Sequence, residues 1–272
     1  MLSVRRLIFA SYIIVALATV YAVLVSRIGF DASMLARWTE EGGPFENATV
    51  AALLVFGISC WVAAWRSSQQ KLGRVLLTLL GFLLVVAAME EMSWGQRVVG
   101  FETPETLEAL NYQGEFNIHN LVDSQIFAAL VHTPVYLLIY GPMFIALFPA
   151  IINRPVVRLV RNVPIPDGHN VLMFIFGTGL HAWAMPITLA DSIACVAALV
   201  LFGIVMWRRP GFSRGGEQLH WLLVVIATLV FAFSYSVFRY ENMQYEIREL
   251  VVVIGVAYWL AGWGGERDVA LE

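Results

Sequence analysis

A chain of 272 residues that is 59% hydrophobic, 13% aromatic and only 14% charged, with a mean hydropathy of +0.73, has too little polar surface to cover a water-soluble globule. Soluble domains carry about 25% charged residues, so this composition belongs in a bilayer, with its few charges grouped. One Lys, two Cys and a net charge of -3 exclude a nucleic-acid binder, a disulfide scaffold and a disordered chain.

Eight segments are apolar for long enough to cross a hydrocarbon core of about 30 Å, which takes roughly 20 helical residues. They are Leu7 to Val25, Val50 to Trp65, Val75 to Met92, Leu121 to Ile152, Val171 to Ile187, Ile193 to Trp207, Leu222 to Phe238 and Leu250 to Trp263. The expected fold is therefore all-α, a polytopic bundle forming one domain over residues 1–272. The fourth segment is long and contains Pro134 and Gly141-Pro142, which predicts either a kinked, tilted helix or a short lead-in helix before the true span.

Short cytoplasmic loops concentrate positive charge. With the N-terminus inside, Arg5, Arg6, Arg66, Lys71, Arg74, Arg154, Arg158, Arg161, Arg208, Arg209, Arg214 and Arg267 all fall on the cytoplasmic side. Arg27, Arg37, Arg97, Arg239 and Arg248 fall outside. The bias agrees at every loop and predicts N-in and C-in. The acids run the other way, and only Asp167, Glu217, Glu266, Asp268 and Glu272 lie inside. Ala16-Leu17-Ala18 sits in the middle of the first apolar run, which makes that run a retained anchor rather than a cleaved signal. Asn47-Ala48-Thr49 would be a glycosylation sequon only in a eukaryotic secretory setting, and nothing suggests one; the expected location is a bacterial cytoplasmic membrane. Cys60 and Cys195 fall at different depths and read as packing residues.

Two outer loops exceed simple connectors. Asp31 to Glu41 has helical spacing of Met34, Leu35 and Trp38 and is stopped by Gly42, Gly43 and Pro44, which suggests a surface helix. The loop from Ser93 to Asn120 carries a Thr103-Pro104-Glu105 helix start, with Thr as cap and Leu107 and Leu110 toward the membrane. It is expected to be a folded lid or re-entrant element over residues 93–120.

The densest polar stretch runs from Glu90 to Gln125 and begins inside the third span. Adjacent carboxylates at the end of an apolar run are costly unless they are paired, bound to a metal or facing a wet cavity. Glu90, Glu91, Glu115 and His119 are candidate catalytic groups. Trp94, Gln96, Arg97, Arg239 and Arg248 are candidate substrate-binding groups. Glu115, His119 and Asp123 are spaced by four and would stack on one face of a continuous helix; Asn117 or Asn120 capping the fourth span, with Asp123 in the cap, would instead remove Glu115 from that stack. Glu91, His119, Asp123 and Glu249 are the set that could hold a divalent metal. Glu246 can complement the dipole of the eighth helix, or, paired with Glu249, face Glu90 and Glu91 across the bundle in a structural network bridged by Arg97 or Arg239. His132 and His181 fall near the midplane, as core histidines, as the floor of a deep pocket or, below those, as a bis-His haem site without any other haem cue. His169 and His220 sit at inner helix starts and read as interfacial.

Glu90-Glu91 followed by Arg97 resembles, at a distance, the EExxxR pattern of the intramembrane glutamate proteases that process prenylated proteins. Arg97 lies six residues after Glu91 rather than four, neither His132 nor His181 follows a Phe by four residues, and His119 is followed by Asp123 rather than Asn. That activity is not carried over. The leading expectation is a membrane enzyme, a hydrolase or transferase on a lipid, lipid-linked or membrane-embedded substrate at the extracytoplasmic face. A transporter or channel with a charged outer vestibule is the second reading, and a non-catalytic accessory or assembly subunit docking a membrane partner through its aromatic loops is the third.

Overall fold

The structure, a computed structural model, describes residues 2–27, 37–38, 42–66, 71–111, 114–118, 120–121, 124–148, 165–184, 189–208, 216–234 and 243–263. Their regular structure is entirely helical, covering 87%, with no strand among them. The eight long helices are α1 (Leu2–Arg27), α2 (Pro44–Arg66), α3 (Lys71–Glu91), α4 (Ser124–Leu147), α5 (Gly168–Ala184), α6 (Leu189–Arg208), α7 (Glu217–Ser234) and α8 (Met243–Trp263). Each overlaps one of the eight apolar segments. By length and composition, stretches of α1, α2 and α3 are long and apolar enough to cross a membrane: Val4–Leu24, Pro44–Trp65 and Gly73–Glu91.

Two helix starts show why the elements begin where they do. Asp167 precedes α5 and accepts the Asn170 amide at 3.0 Å, satisfying one of the donors a first turn leaves open. At α2, Pro44 occupies the first turn, the Glu46 carboxylate accepts the Gly42 amide at 2.5 Å, and the Asn47 side chain donates to the carbonyls of Gly42 and Gly43 at 2.7 and 2.9 Å. α4 retains both Pro134 and Pro142, and runs 24 residues rather than the longer segment expected. Three buried hydroxyls are satisfied inside their own helices, with Thr19, Thr178 and Thr228 each donating to the carbonyl four residues back.

α5 is the axis of the main body. Val171 to Phe176 are buried on every side, and the helix packs against α4, α6, α7 and α8, with α1 closing the body against α7 and α8. A hairpin of α2 and α3 stands beside this body and joins it through α2 and α8. The hairpin closes around two glycines. A methyl group at Gly81 would lie 2.8 Å from the Gly57 carbonyl oxygen and 2.7 Å from the Trp61 ring, so only residues without a side chain permit this approach. Outward faces are apolar, with Ile14, Leu17 and Tyr21 on α1 and Leu79, Phe82 and Leu83 on α3. In lipid such a surface needs no cover.

A buried polar knot ties α1, α5, α7 and α8 at one end of the body. Arg5 pairs with Asp167 and lies over the Tyr258 ring, 4.1 Å from its centroid. His169 and His220 face each other Nδ1 to Nδ1 at 3.1 Å, and His220 Nε2 meets the Tyr12 hydroxyl at 3.0 Å. The interfacial expectation for His220 is therefore corrected, since the ring is 2% exposed and its polar atoms are used within the bundle. Arg5 also approaches Gly262, where an added methyl would lie 3.6 Å from the guanidinium carbon, so the start of α1 and the end of α8 share this end.

Candidate active site

The second polar region lies where the hairpin meets the start of α8, at the other end of that helix. Its centre is Arg97. One Nη of Arg97 donates to Glu46 Oε1 at 2.8 Å and the other donates to Glu115 Oε1, so a single guanidinium joins the first turn of α2 to the loop that follows α3. Burial works against the Arg97 charge, but the bonds to Glu115 and Glu46 outweigh it and hold the guanidinium pKa above its ordinary value. Glu46 is 6% exposed and its other oxygen takes the Gly42 amide, so both carboxylate oxygens are used.

Arg97 is placed by an unusual turn. After α3 ends at Glu91, Ser93 and Trp94 adopt φ of 47° and 54°, followed by Gly95 at 82°. Non-glycine residues in this left-handed region cost about 1–3 kcal/mol each and persist only where surrounding bonds over-determine them. Those bonds are present. The Ser93 hydroxyl donates to Glu115 Oε2 at 2.5 Å, and the Asn117 side chain donates to Ser93 Oγ and Glu115 Oε2, both at 3.1 Å. Asn111 donates to Asn117 Oδ1 at 2.8 Å. Trp94 Nε1 donates to Glu90 Oε1 at 2.6 Å, while Glu90 Oε2 accepts the Ile118 amide at 2.7 Å. Gln96 bridges the same loop, donating to Thr103 Oγ1 at 2.7 Å and accepting the Phe116 amide at 2.8 Å.

The loop is thus a folded cover stitched down by side chains, with one-turn helices at Gln96–Val99 and Glu105–Glu108. Thr103 does not cap the second of these. Pro104 occupies that position, and the Thr103 hydroxyl donates to the Gly114 carbonyl at 2.8 Å. Leu110, expected against the membrane, is exposed.

Among the sequence candidates, Glu90, Glu91, Trp94, Gln96, Arg97, Glu115, Arg248 and Glu249 lie in described elements. Glu115 stands in non-helical chain and α4 begins only at Ser124, so a continuous helix stacking Glu115, His119 and Asp123 does not form. His119, Asp123 and Arg239 lie outside the described residues, as do most of Asp31 to Glu41 and the side chains of His132 and His181. Among the described residues, no three His, Cys, Asp or Glu side chains converge to hold a metal ion. Cys60 and Cys195 are both buried and free.

Two carboxylates differ from the rest. Glu91, at the end of α3, lies within electrostatic reach of Glu249 on α8, of Glu46 and Glu90, and of Arg97. Glu249 in turn lies within reach of Glu46, Glu246 and Arg248. Both are half-buried, and no hydrogen bond or ion pair among the described residues engages either one. Thr49, one turn along α2 from Glu46, is buried with its hydroxyl unpartnered among the described residues. The region therefore divides into groups spent on architecture (Glu46, Glu90, Gln96, Arg97, Glu115) and a carboxylate pair that is not. Glu46, Ser93, Asn111 and Asn117 were not singled out as site groups from sequence, although Asn117 stood as a helix-cap candidate and the Gly-Gly-Pro-x-Glu start of α2 hints at Glu46.

No protein family, curated protein or solved structure matches this chain.

Replacing Asn117 with Ala removes the bonds to Ser93 and Glu115 and one of the two bonds from the Asn111 amide, which keeps its bond to the backbone carbonyl of residue 117 at 3.2 Å. Each lost buried bond costs about 1–3 kcal/mol, so local opening of the cover becomes on the order of tenfold more frequent or greater. Limited proteolysis should then cut between Phe101 and Gly114 correspondingly faster in Asn117→Ala than in wild type, with the helices left intact. Equal cleavage rates would show that this network does not hold the cover.

Proposed function

We propose that the protein is an eight-span enzyme of a bacterial cytoplasmic membrane, with both termini cytoplasmic and its carboxylate site at the periplasmic face. It acts as a hydrolase or transferase on a lipid, lipid-linked or membrane-embedded substrate. The observation that carries this reading is the pair Glu91 and Glu249. Two helices bring these carboxylates within electrostatic reach of each other, neither is committed to the hydrogen-bond framework, and both lie beside a cover fastened by Arg97.

Such a pair can divide acid and base roles. The ionised carboxylate removes a proton from the attacking water or hydroxyl, and the protonated one gives a proton to the leaving group. At the end of the cycle the pair has exchanged its proton and returns by transfer through water. Arg248, beside Glu249, is the basic group placed to orient an anionic substrate headgroup, whereas Arg97 is a positioning residue whose two Nη groups hold Glu46 and Glu115. The left-handed turn at Ser93 and Trp94 supports the reading, because strain of that kind concentrates at functional sites. The orientation is supported by the chain-wide distribution of Lys and Arg, and by the meeting of the two helix ends at Arg5 and Gly262, which an even number of crossings requires.

Orientation is tested with reporter fusions. Alkaline phosphatase inserted after Gly100 should be active, and a fluorescent protein after Glu272 should fluoresce; the reverse pattern would refute the topology. The activity is tested by lipid profiling. Membranes of a strain lacking the protein should accumulate one lipid or lipid-linked species, which wild type clears and which Glu91→Gln and Glu249→Gln, expressed at wild-type level, leave at least about tenfold higher, since loss of a positioned acid or base costs roughly 10²–10⁴ in rate. Clearance by both variants, or an unchanged profile in the deletion strain, would contradict the enzyme reading.

A further inference from the structure

Away from the carboxylate site, the far end of the hairpin carries a groove between α2 and α3 with a volume of ≈ 700 Å³. Trp61 and Trp65 sit one turn apart on α2, and Lys71, Arg74, Val75 and Thr78 follow one face of α3 opposite them. No acidic residue lines it. Polarity changes along its length. Lys71 and Arg74 stand in the first turns of α3, and further along the same face are Val75 and Leu79, both exposed.

The walls are fixed rather than incidental. Trp61 Nε1 donates to the Thr78 carbonyl at 3.1 Å, holding its ring against α3, and Arg74 Nε donates to the Ala64 carbonyl at 3.1 Å, which sets the guanidinium across the end of α2. Trp65 is 86% exposed at the rim. An indole in that position is costly in water and favourable at the level of lipid headgroups.

We propose that this groove binds an anionic phospholipid. Lys71 and Arg74 take the phosphate, the two indoles flank the glycerol region, and an acyl chain descends along Val75 and Leu79. Charge complementarity selects the headgroup, because two basic residues without a neighbouring acid favour a net negative lipid over a zwitterionic one. The run from basic residues at the start of α3 to an exposed apolar face further along it selects a lipid over a soluble anion. Under the N-in topology the groove opens to the cytoplasmic leaflet, but the binding chemistry does not depend on that orientation or on the carboxylate site.

The test uses full-length protein purified in detergent, stripped of lipid, and offered phosphatidylglycerol and phosphatidylcholine of matched chains, with bound lipid counted by native mass spectrometry. Wild type should prefer phosphatidylglycerol by roughly tenfold, on the scale of two basic residues at an anionic surface. The double variant Lys71→Gln/Arg74→Gln should lose the preference, Lys71→Gln alone should lower it in part, and Arg74→Lys should keep it. Trp65→Ala should reduce retention of both lipids. Circular dichroism confirms that each variant is helical, and Lys71→Gln disturbs no bond within the hairpin. No preference in wild type, or a preference that survives in the double variant, would overturn the site. Displacement of the lipid by excess inorganic phosphate would assign the groove to a free anion and overturn the lipid reading.

Discussion

The bridge from Arg97 to Glu46 and Glu115 is the contact on which the rest of the polar region depends. An apolar chain of this kind has few ways to keep charge near a bilayer, and carboxylates gathered in one place must be neutralised or hydrogen-bonded. Arg97 does this for two acids that are distant in sequence. It fastens the loop after α3 onto the start of α2, and the turn that presents it is tolerated because Ser93, Glu115 and Asn117 close a network around it. With those acids committed, Glu91 and Glu249 are left within electrostatic reach of each other and outside that framework.

The two polar regions occupy opposite ends of α8 and are built differently. At the end containing Arg5, Asp167 pairs with Arg5 while His169, His220 and Tyr12 bond one another, and these contacts lock α1, α5, α7 and α8 together. The end containing Arg97 is a web of side-chain bonds between the hairpin and the loop after α3, and Glu91 and Glu249 stand beside it. Between them the body is apolar around α5. Polar groups confined to the two ends of an apolar bundle are what a membrane requires of a structure whose backbone satisfies itself in helices.

Each of the eight long helices among the described residues overlaps an apolar run of the sequence, and among them stretches of α1, α2 and α3 are long and apolar enough to cross a bilayer. The chemistry was harder to read. The Glu115, His119 and Asp123 spacing implied a shared face only if the helix were continuous, and the chain through Glu115 bends to satisfy Ser93 and Arg97 instead. Glu46 stood out little because a first-turn Glu is commonly a dipole partner, and its real partner lies fifty-one residues away. For Arg97 the sequence offers both a substrate-binding and a salt-bridging role but not its partners, because Glu46 and Glu115 are too far from it in sequence to be paired with it by pattern. His220 was taken for an interfacial residue on position alone, when Tyr12, from the first helix, makes it a core residue. In each instance the missing information was a long-range contact.

Arg97 is the tie that holds a folded cover beside the carboxylate pair, and hydrogen exchange reads this directly. In wild type the amides of residues 114–118, including those of Phe116 and Ile118 that bond to Gln96 and Glu90, should exchange slowly. In Arg97→Met they should exchange faster by on the order of ten- to a hundredfold, the effect of losing one to three kilocalories per mole of local stability, while the amides of α5 keep their wild-type protection. Equal exchange of this segment in the two proteins would contradict the central role given to Arg97.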